Sequence, residues 1–383
     1  MHQVENPGQS WNAVTVGAYS KDVNIDSEDF NEFFPVADVD ELSPYSSTSR
    51  LWDAKWPIKP DVLFDGGNMA QNGIDYTDAE ELSLLTTNND FNKRPLTSIN
   101  ATSSATAQAS WMAAKLYQSY PEIWPETVRA LIIHSASWTE KMKKQFCIED
   151  TKAKGRRNLL RTCGYGIPNL EKAIESKENS VNLVIEDTIQ PYIAAGKGVK
   201  LNEMKFHKLP WTDDILRGLG AVDAKLKVTL SYFIEPGPGE VGWKDKYRYQ
   251  SAGLKFDVIN SNENETDFKK RINKAVRENN VDKGDSSARN WYLGKNNRDV
   301  GSIHSNYCIT SAVDLCETNC IAVYPVSGWW KERKYLGKAN SKLRYSLIVT
   351  IETPTTETDL YTPIINQIKI SNKISIDTQT EDI

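Results

Sequence analysis

Apolar and polar positions alternate in two distinct styles along this chain, and the change falls near residue 180. In the first part, Trp11–Tyr19 (WNAVTVGAY) is a β-rich run ending in Gly17-Ala18, which predicts a buried strand. A polar, acidic segment runs from Lys21 to Glu41, and Ser43–Ser49 is a loop of turn formers. Lys59–Gly67 predicts a proline-started strand closed by a glycine turn, and Ala79–Asn92 a polar loop with one helical turn. Ser103–Tyr120 is alanine-rich with helical spacing, so it predicts an amphipathic helix broken at Pro121–Glu126. Pro125 fits a first helical position, and Glu126–Ser135 predicts a second helix. Lys141–Arg161 is strongly basic and predicts a solvated insertion before a short helix, Asn169–Ser176.

Beyond about Ser180 the period shortens to two. Val181–Ile185, Met204–Leu209, Leu226–Ile234, Leu254–Val258, Ile321–Val326 and Tyr345–Glu352 predict strands. In the third, Leu226, Val228, Leu230 and Tyr232 fall on one face, and Lys227, Thr229, Ser231 and Phe233 on the other. One helix, Asp267–Glu278, carries Phe268, Ile272, Ala275 and Val276 at helical spacing. Ser371–Ile383 reads as a loose polar tail. The domains expected are therefore residues 1–178, a β-rich module over 179–370, and a tail over 371–383.

Composition narrows the class. The 383 residues, 39% hydrophobic and 25% charged, suffice for two buried cores. A net charge of −5 gives no global attraction to nucleic acid or to an anionic membrane. No apolar run approaches the roughly 20 residues that span a bilayer. Met1–Pro7 lacks the basic and apolar regions of a secretory signal, so a cytoplasmic protein is expected. Five cysteines, an odd and low number, fit reduced thiols. His304, Cys308, Cys316 and Cys320 could be counted as soft metal ligands. Their spacing matches none of the usual zinc patterns, and buried thiols are the plainer reading, so no metal or cofactor is expected.

Candidate chemistry concentrates at Asn100-Ala101-Thr102-Ser103-Ser104-Ala105-Thr106-Ala107, a loop that turns into a helix with serine at its mouth. A helix N-terminus carries unpaired N–H groups and partial positive charge, where a developing oxyanion is stabilised. Taken alone, Thr102, Ser103 or Ser104 is more simply a helix cap. His134, His207 and His304 read as packed structural residues. The basic stretch could hold an acidic partner, but no aromatic stacking platform interleaves it, so nucleic acid is not expected. Trp329-Trp330 reads as buried rather than as a binding patch, and the oxygen-bearing residues around Asp65-Gly66-Gly67-Asn68 are too few and unpatterned for calcium.

The same stretch resembles the nucleophile segment of subtilisin-like serine proteases, Gly-Thr-Ser-x-Ala-x-Pro, with Ala101 for the glycine and Ala107 for the proline. Further matches follow in family order. Val16-Gly17-Ala18 resembles a strand end, Ser43–Ser49 a Ser-x-Phe-Ser-Ser loop with Tyr45 for phenylalanine, and Lys59-Pro60-Asp61-Val62 a Lys-Pro-Asp-Val strand. There Phe64 and Asp65 replace Ala-Pro. Tyr120-Pro121, Val128–Leu131 and Gly164-Tyr165-Gly166 resemble the segments after the nucleophile. The resemblance implies an α/β fold: the C-terminal part of a subtilisin-like parallel-sheet catalytic domain, followed by a mostly-β sandwich or jelly-roll-like domain. It also implies a serine endopeptidase acting on protein or peptide through an acyl-enzyme on Ser103. The family's Asp, His and oxyanion Asn motifs have no match here, so the chain is expected to be part of a longer protease and inactive alone. Leu209-Pro210-Trp211, Leu230–Pro236, Ala322–Val326 and Gly328–Lys331 resemble the last module of bacterial cytosolic subtilases encoded beside an AAA-type ATPase, which implies such a partner. The competing reading is a non-catalytic binding or scaffold protein on a degenerate subtilase half, in a plasmid or phage-defence system.

Overall fold

The computed structural model describes residues 2–53, 56–147, 153–175, 180–211, 213–237, 249–277, 289–294, 300–353 and 376–379. Two compact units emerge. The first holds residues 1–53, 57–123 and 131–174, and the second holds 54–56, 124–130 and 175–383.

In the first unit, β1 (Val16–Tyr19) is followed by β2 (Phe34–Pro35) and β3 (Val62–Asp65). β1 and β3 run parallel, Val16 opposite Val62 and Tyr19 opposite Asp65. Ala18, Val62 and Leu63 are wholly buried between their neighbours. β4 (Ala70–Gln71) and β5 (Tyr76–Thr77) join β2 in a small antiparallel sheet. β6 (Leu84–Thr87) and β7 (Leu96–Ile99) pair as a hairpin, Leu84 opposite Ile99. Leu84–Thr87 falls in the stretch assigned to a polar loop. Its Leu-Leu-Thr-Thr run pairs with Leu-Thr-Ser-Ile across a polar turn, a match made at a distance rather than within the segment.

α1 (Ala101–Ser119) packs on β1 and β3. Its buried Ala105, Ala109, Met112 and Leu116 recur at intervals of four, three and four, one face of a helix. α2 (Pro125–Ser135), whose residues from 131 onward belong to this unit, starts on its proline as expected. The basic stretch is a correction: it forms α3 (Glu140–Phe146) and α4 (Ala153–Cys163), not a solvated insertion, with residues 148–152 outside the described set. Met142 and Phe146, and Leu159 and Cys163, repeat at i, i+4 and close a core with Leu42 and Leu63, which leaves many of the cations on the other faces. α5 (Leu170–Ile174) ends the described part of this unit.

The second unit opens with β8 (Ser180–Ile189), the hairpin β9 (Tyr192–Ala195) and β10 (Gly198–Leu201), and β11 (Glu203–Lys208). α6 (Asp213–Leu219), β12 (Asp223–Tyr232), β13 (Gly253–Val258) and α7 (Glu265–Arg277) follow. Then come β14 (Ile303–Ser311), α8 (Ala312–Cys316), β15 (Cys320–Val326), α9 (Trp329–Glu332), β16 (Leu343–Glu352) and β17 (Ile376–Gln379). Two four-stranded antiparallel sheets result, ordered β14-β12-β16-β8 and β13-β15-β11-β17. β14 had no counterpart in the pattern and places His304 on a strand rather than in a loop. Its buried positions mix polar His304, Ser305 and Asn306 with Ile303 and Cys308, and Ser305 and Thr229 satisfy one another at 2.7 Å. β17 pairs with β11 within a stretch assigned to a loose tail; the rest of 371–383 lies outside the described residues. α7 lays Phe268, Ile272 and Val276 on Phe206, Ala322 and Tyr324. Trp329 and Trp330 are buried, and all five cysteines are buried thiols outside any disulfide. Among the described residues no helix is long and apolar enough to cross a membrane.

Candidate active site

The site is built where β3 ends. Lys59 is buried, its Nζ donating to Asp61 Oδ2 at 2.7 Å and to the Ala13 carbonyl at 2.8 Å. The same Asp61 oxygen accepts from the Thr15 backbone N–H at 2.7 Å, so the Lys-Pro-Asp segment ties β3 to the entry of β1. From the other side, Leu63 donates its N–H to the Gly166 carbonyl at 2.9 Å. Gly166 has φ +98°, and a Cβ there would stand 2.2 Å from the Ser137 carbonyl oxygen, so a side chain cannot be accommodated.

After Asp65 the chain turns through Gly66, where an added Cβ would meet the Ala18 Cβ at 2.4 Å. Ser20 and Ser43 hydroxyls donate to the Gly67 carbonyl at 3.0 and 2.8 Å. The start of α1 hangs on this turn: the Ala101 N–H donates to the Gly66 carbonyl at 2.8 Å. Ser104 Oγ reaches the Ala101 carbonyl at 2.8 Å and the Asp65 carbonyl at 3.5 Å, and Gln108 Nε2 donates to that Asp65 oxygen at 2.7 Å. Ala101 itself has φ +66°, a left-handed conformation that glycine adopts freely and alanine does not.

Ser103 is the third residue of α1 and is exposed. Asn100 holds the N-cap position and makes no side-chain cap bond. Ser103 is therefore not the cap residue, and among the described residues its hydroxyl has no hydrogen-bond partner. Ser104, beside it, is buried and occupied. The two serines thus have different employment: one fixes the turn, and the other stands free over the positive end of a long helix.

Residues 1–166 match the model of the subtilase family. That match supports a subtilisin-like family for this part of the chain. A curated protein of Sinorhizobium fredii (strain NBRC 101917 / NGR234), "Uncharacterized protein y4bN", is 23% identical over 233 residues, 59% of this chain and 50% of that protein. The chain thus spans about half the length of the curated relative it matches. Seen against the subtilase pattern, Ala101 keeps a glycine-like backbone without being glycine.

The histidines are placed elsewhere. His2 is exposed near the start of the first unit. His134 is buried in α2. His207 and His304 are buried on β11 and β14, His207 Nε2 bonded to Tyr345 Oη at 2.7 Å and His304 Nε2 to Tyr232 Oη at 3.2 Å. Burial pushes His207 down to about 4, so it is neutral at physiological pH. Among the described residues no cluster of three or more His, Cys, Asp or Glu could hold a metal ion.

Two polar groups near the serine turn escaped the sequence reading. The Asp65 carboxyl is buried and accepts from the Gly67 N–H at 3.0 Å; burial raises it above the ordinary carboxylate range. Tyr45 Oη donates to the Asp78 carboxylate, and burial, with Asp78, raises its phenol. Asp65 registered as a replacement for a family proline and as a rejected calcium ligand, not as a buried carboxyl, and the Tyr45–Asp78 bond joins distant positions with no shared motif.

Proposed function

We propose that this chain carries the nucleophile-bearing part of a subtilisin-type serine endopeptidase, with Ser103 as the acyl acceptor. The observation that supports this reading is the free, exposed hydroxyl at the first turn of α1, beside a serine wholly engaged in structure. A serine hydroxyl needs a base to take its proton. Three of the four histidines are buried in packed elements, so the base and its orienting carboxylate are assigned to polypeptide outside these 383 residues. In the assembled enzyme the base removes the Ser103 proton as Oγ attacks the peptide carbonyl. The oxyanion forms against the α1 N–H groups, the amine leaves with the proton, and water hydrolyses the ester. Donors of this kind lower the barrier by about 3 kcal/mol.

In this reading residues 1–178 are the C-terminal part of the parallel-sheet catalytic domain, and 179–370 an accessory β-sandwich. The protein is cytoplasmic, cuts protein or peptide substrates and works with an AAA-type ATPase. The burial of His134, His207 and His304 also favours a second reading, a non-catalytic scaffold. A fluorophosphonate probe separates them. The expected result is no labelling of the chain alone, and Ser103-dependent labelling once a polypeptide bearing the family's Asp and His is added. Labelling of the isolated chain that Ser103→Ala abolishes overturns the claim that it is incomplete. No labelling in either case supports the scaffold.

A further inference from the structure

A cavity of about 600 Å³ opens in the first unit between the loop after Ser49 and α4. Four cations line it: Arg50, Lys154, Arg157 and Arg161. Trp52 and Phe146 supply aromatic wall, and no carboxylate is among the described lining residues. The whole chain carries more acidic than basic residues, 51 against 46, so this concentration is not the background composition. Arg161 is buried, and its guanidinium donates to the Ser49 and Asp53 carbonyls at 3.1 and 3.2 Å, which fixes it in the wall. Burial and the charge of Arg157, opposed by the nearby Asp53 carboxylate, push it down to about 10, which still leaves a cation at neutral pH. Arg157 and Lys154 make no ion pair among the described residues. Lys154 belongs to the first turn of α4, whose backbone dipole adds to the positive field.

Like charges gathered around one concavity repel unless an anion lies between them. A volume of this size matches small-molecule sites, which run from about 300 to about 1,000 Å³. Guanidinium groups favour phosphate oxygens, and an indole offers a face to a base. Trp52 comes from a loop far from the basic stretch in sequence, so the fold adds an indole to Phe146, which the stretch itself carries.

We propose that this cavity binds a nucleoside polyphosphate, its phosphates on Lys154, Arg157 and Arg161 and its base against Trp52. The site is independent of Ser103 and of the assignment made to it.

The test is calorimetric titration of the whole chain with adenosine triphosphate and, separately, with inorganic triphosphate at one fixed ionic strength. Saturable binding of the nucleotide is expected, weakened about tenfold or more by Arg157→Gln and by Lys154→Gln. Trp52→Leu is expected to weaken the nucleotide and leave inorganic triphosphate unchanged. Melting curves of each variant confirm folding, and exposed Lys154 serves where Arg157→Gln melts early. Absence of saturable binding up to about 5 mM nucleotide overturns the proposal. So does undiminished binding by both cation variants. Inorganic triphosphate binding as tightly as the nucleotide, with Trp52→Leu silent, overturns the nucleoside assignment. Tighter, steeply salt-dependent binding of a DNA duplex does the same.

Discussion

Ala101 is the residue at which a local rule is broken beside the proposed nucleophile. A left-handed alanine costs roughly 1–2 kcal/mol, and glycine relieves that at an entropic cost of about 0.5–1 kcal/mol in the unfolded chain. Ala101→Gly is therefore expected to stabilise the protein by about 0.5 kcal/mol, read as a rise in the urea midpoint. The neighbouring serines separate by the same measurement. Ser104→Ala removes a buried hydroxyl bonded to the Ala101 carbonyl and is expected to cost about 1 kcal/mol. Ser103→Ala removes an exposed hydroxyl and is expected to stay within about 0.5 kcal/mol. Equal costs would show that Ser103 is structural. Asp65 gives a pH signature. Its folded-state pKa is raised by burial, so the folded state holds its proton more tightly and ionisation weakens the fold as pH rises through the carboxylate range. Asp65→Asn, whose Oδ1 can still accept from Gly67, is expected to melt higher than wild type at neutral pH. The difference should vanish below about pH 4, where both states are protonated.

At the scale of elements, the buried Lys59–Asp61 pair holds β1 to β3. Lys59→Met leaves the Asp61 carboxylate buried without its cation, which costs about 3–5 kcal/mol. The added change Asp61→Leu is expected to recover part of that loss, an outcome that chemical denaturation of single and double variants would show. This pair also explains why part of the fold was legible. Lys-Pro-Asp and the serine loop stand out as sequence because their side chains bond to one turn or strand, and Gly-x-Gly because a Cβ would collide with neighbouring backbone. β12, β15, β16 and α7 were legible for a different reason, their apolar periodicity. The hairpin β6–β7 was hidden because its two strands complement each other rather than showing alternation singly. β14 was hidden because three successive buried residues, His304, Ser305 and Asn306, are polar and break the apolar alternation. α3 and α4 were masked by charge: the cations outnumber the few apolar positions that decide packing. The place of Ser103 in the first turn of a helix was legible from the loop-to-helix pattern around it. The cavity at Arg157 was not, since Arg50 and Trp52 reach it only through the fold.

For the molecule as a whole, the two units carry separate cores, one closed by Leu63, Met142 and Leu159, the other by Phe206, Phe268 and Ala322. Acid should act on the second through His207. This ring on β11 is buried and bonded to Tyr345 on β16, so it links the two four-stranded sheets. Burial lowers it from the ordinary 6.5 to about 4, with Lys205 acting in the same direction and Asp187 against it. The unfolded chain then binds the proton more tightly than the folded one. Stability is fully present above about pH 6.5 and is lost as pH falls toward 4, by about 3 kcal/mol if His207 acts alone. His207→Gln keeps a partner for the Tyr345 hydroxyl and cannot titrate. It is expected to flatten the pH dependence of the β-rich unit's urea midpoint over that window while leaving the neutral-pH value near wild type. An unchanged acid slope in the variant would show that the proton responsible binds elsewhere.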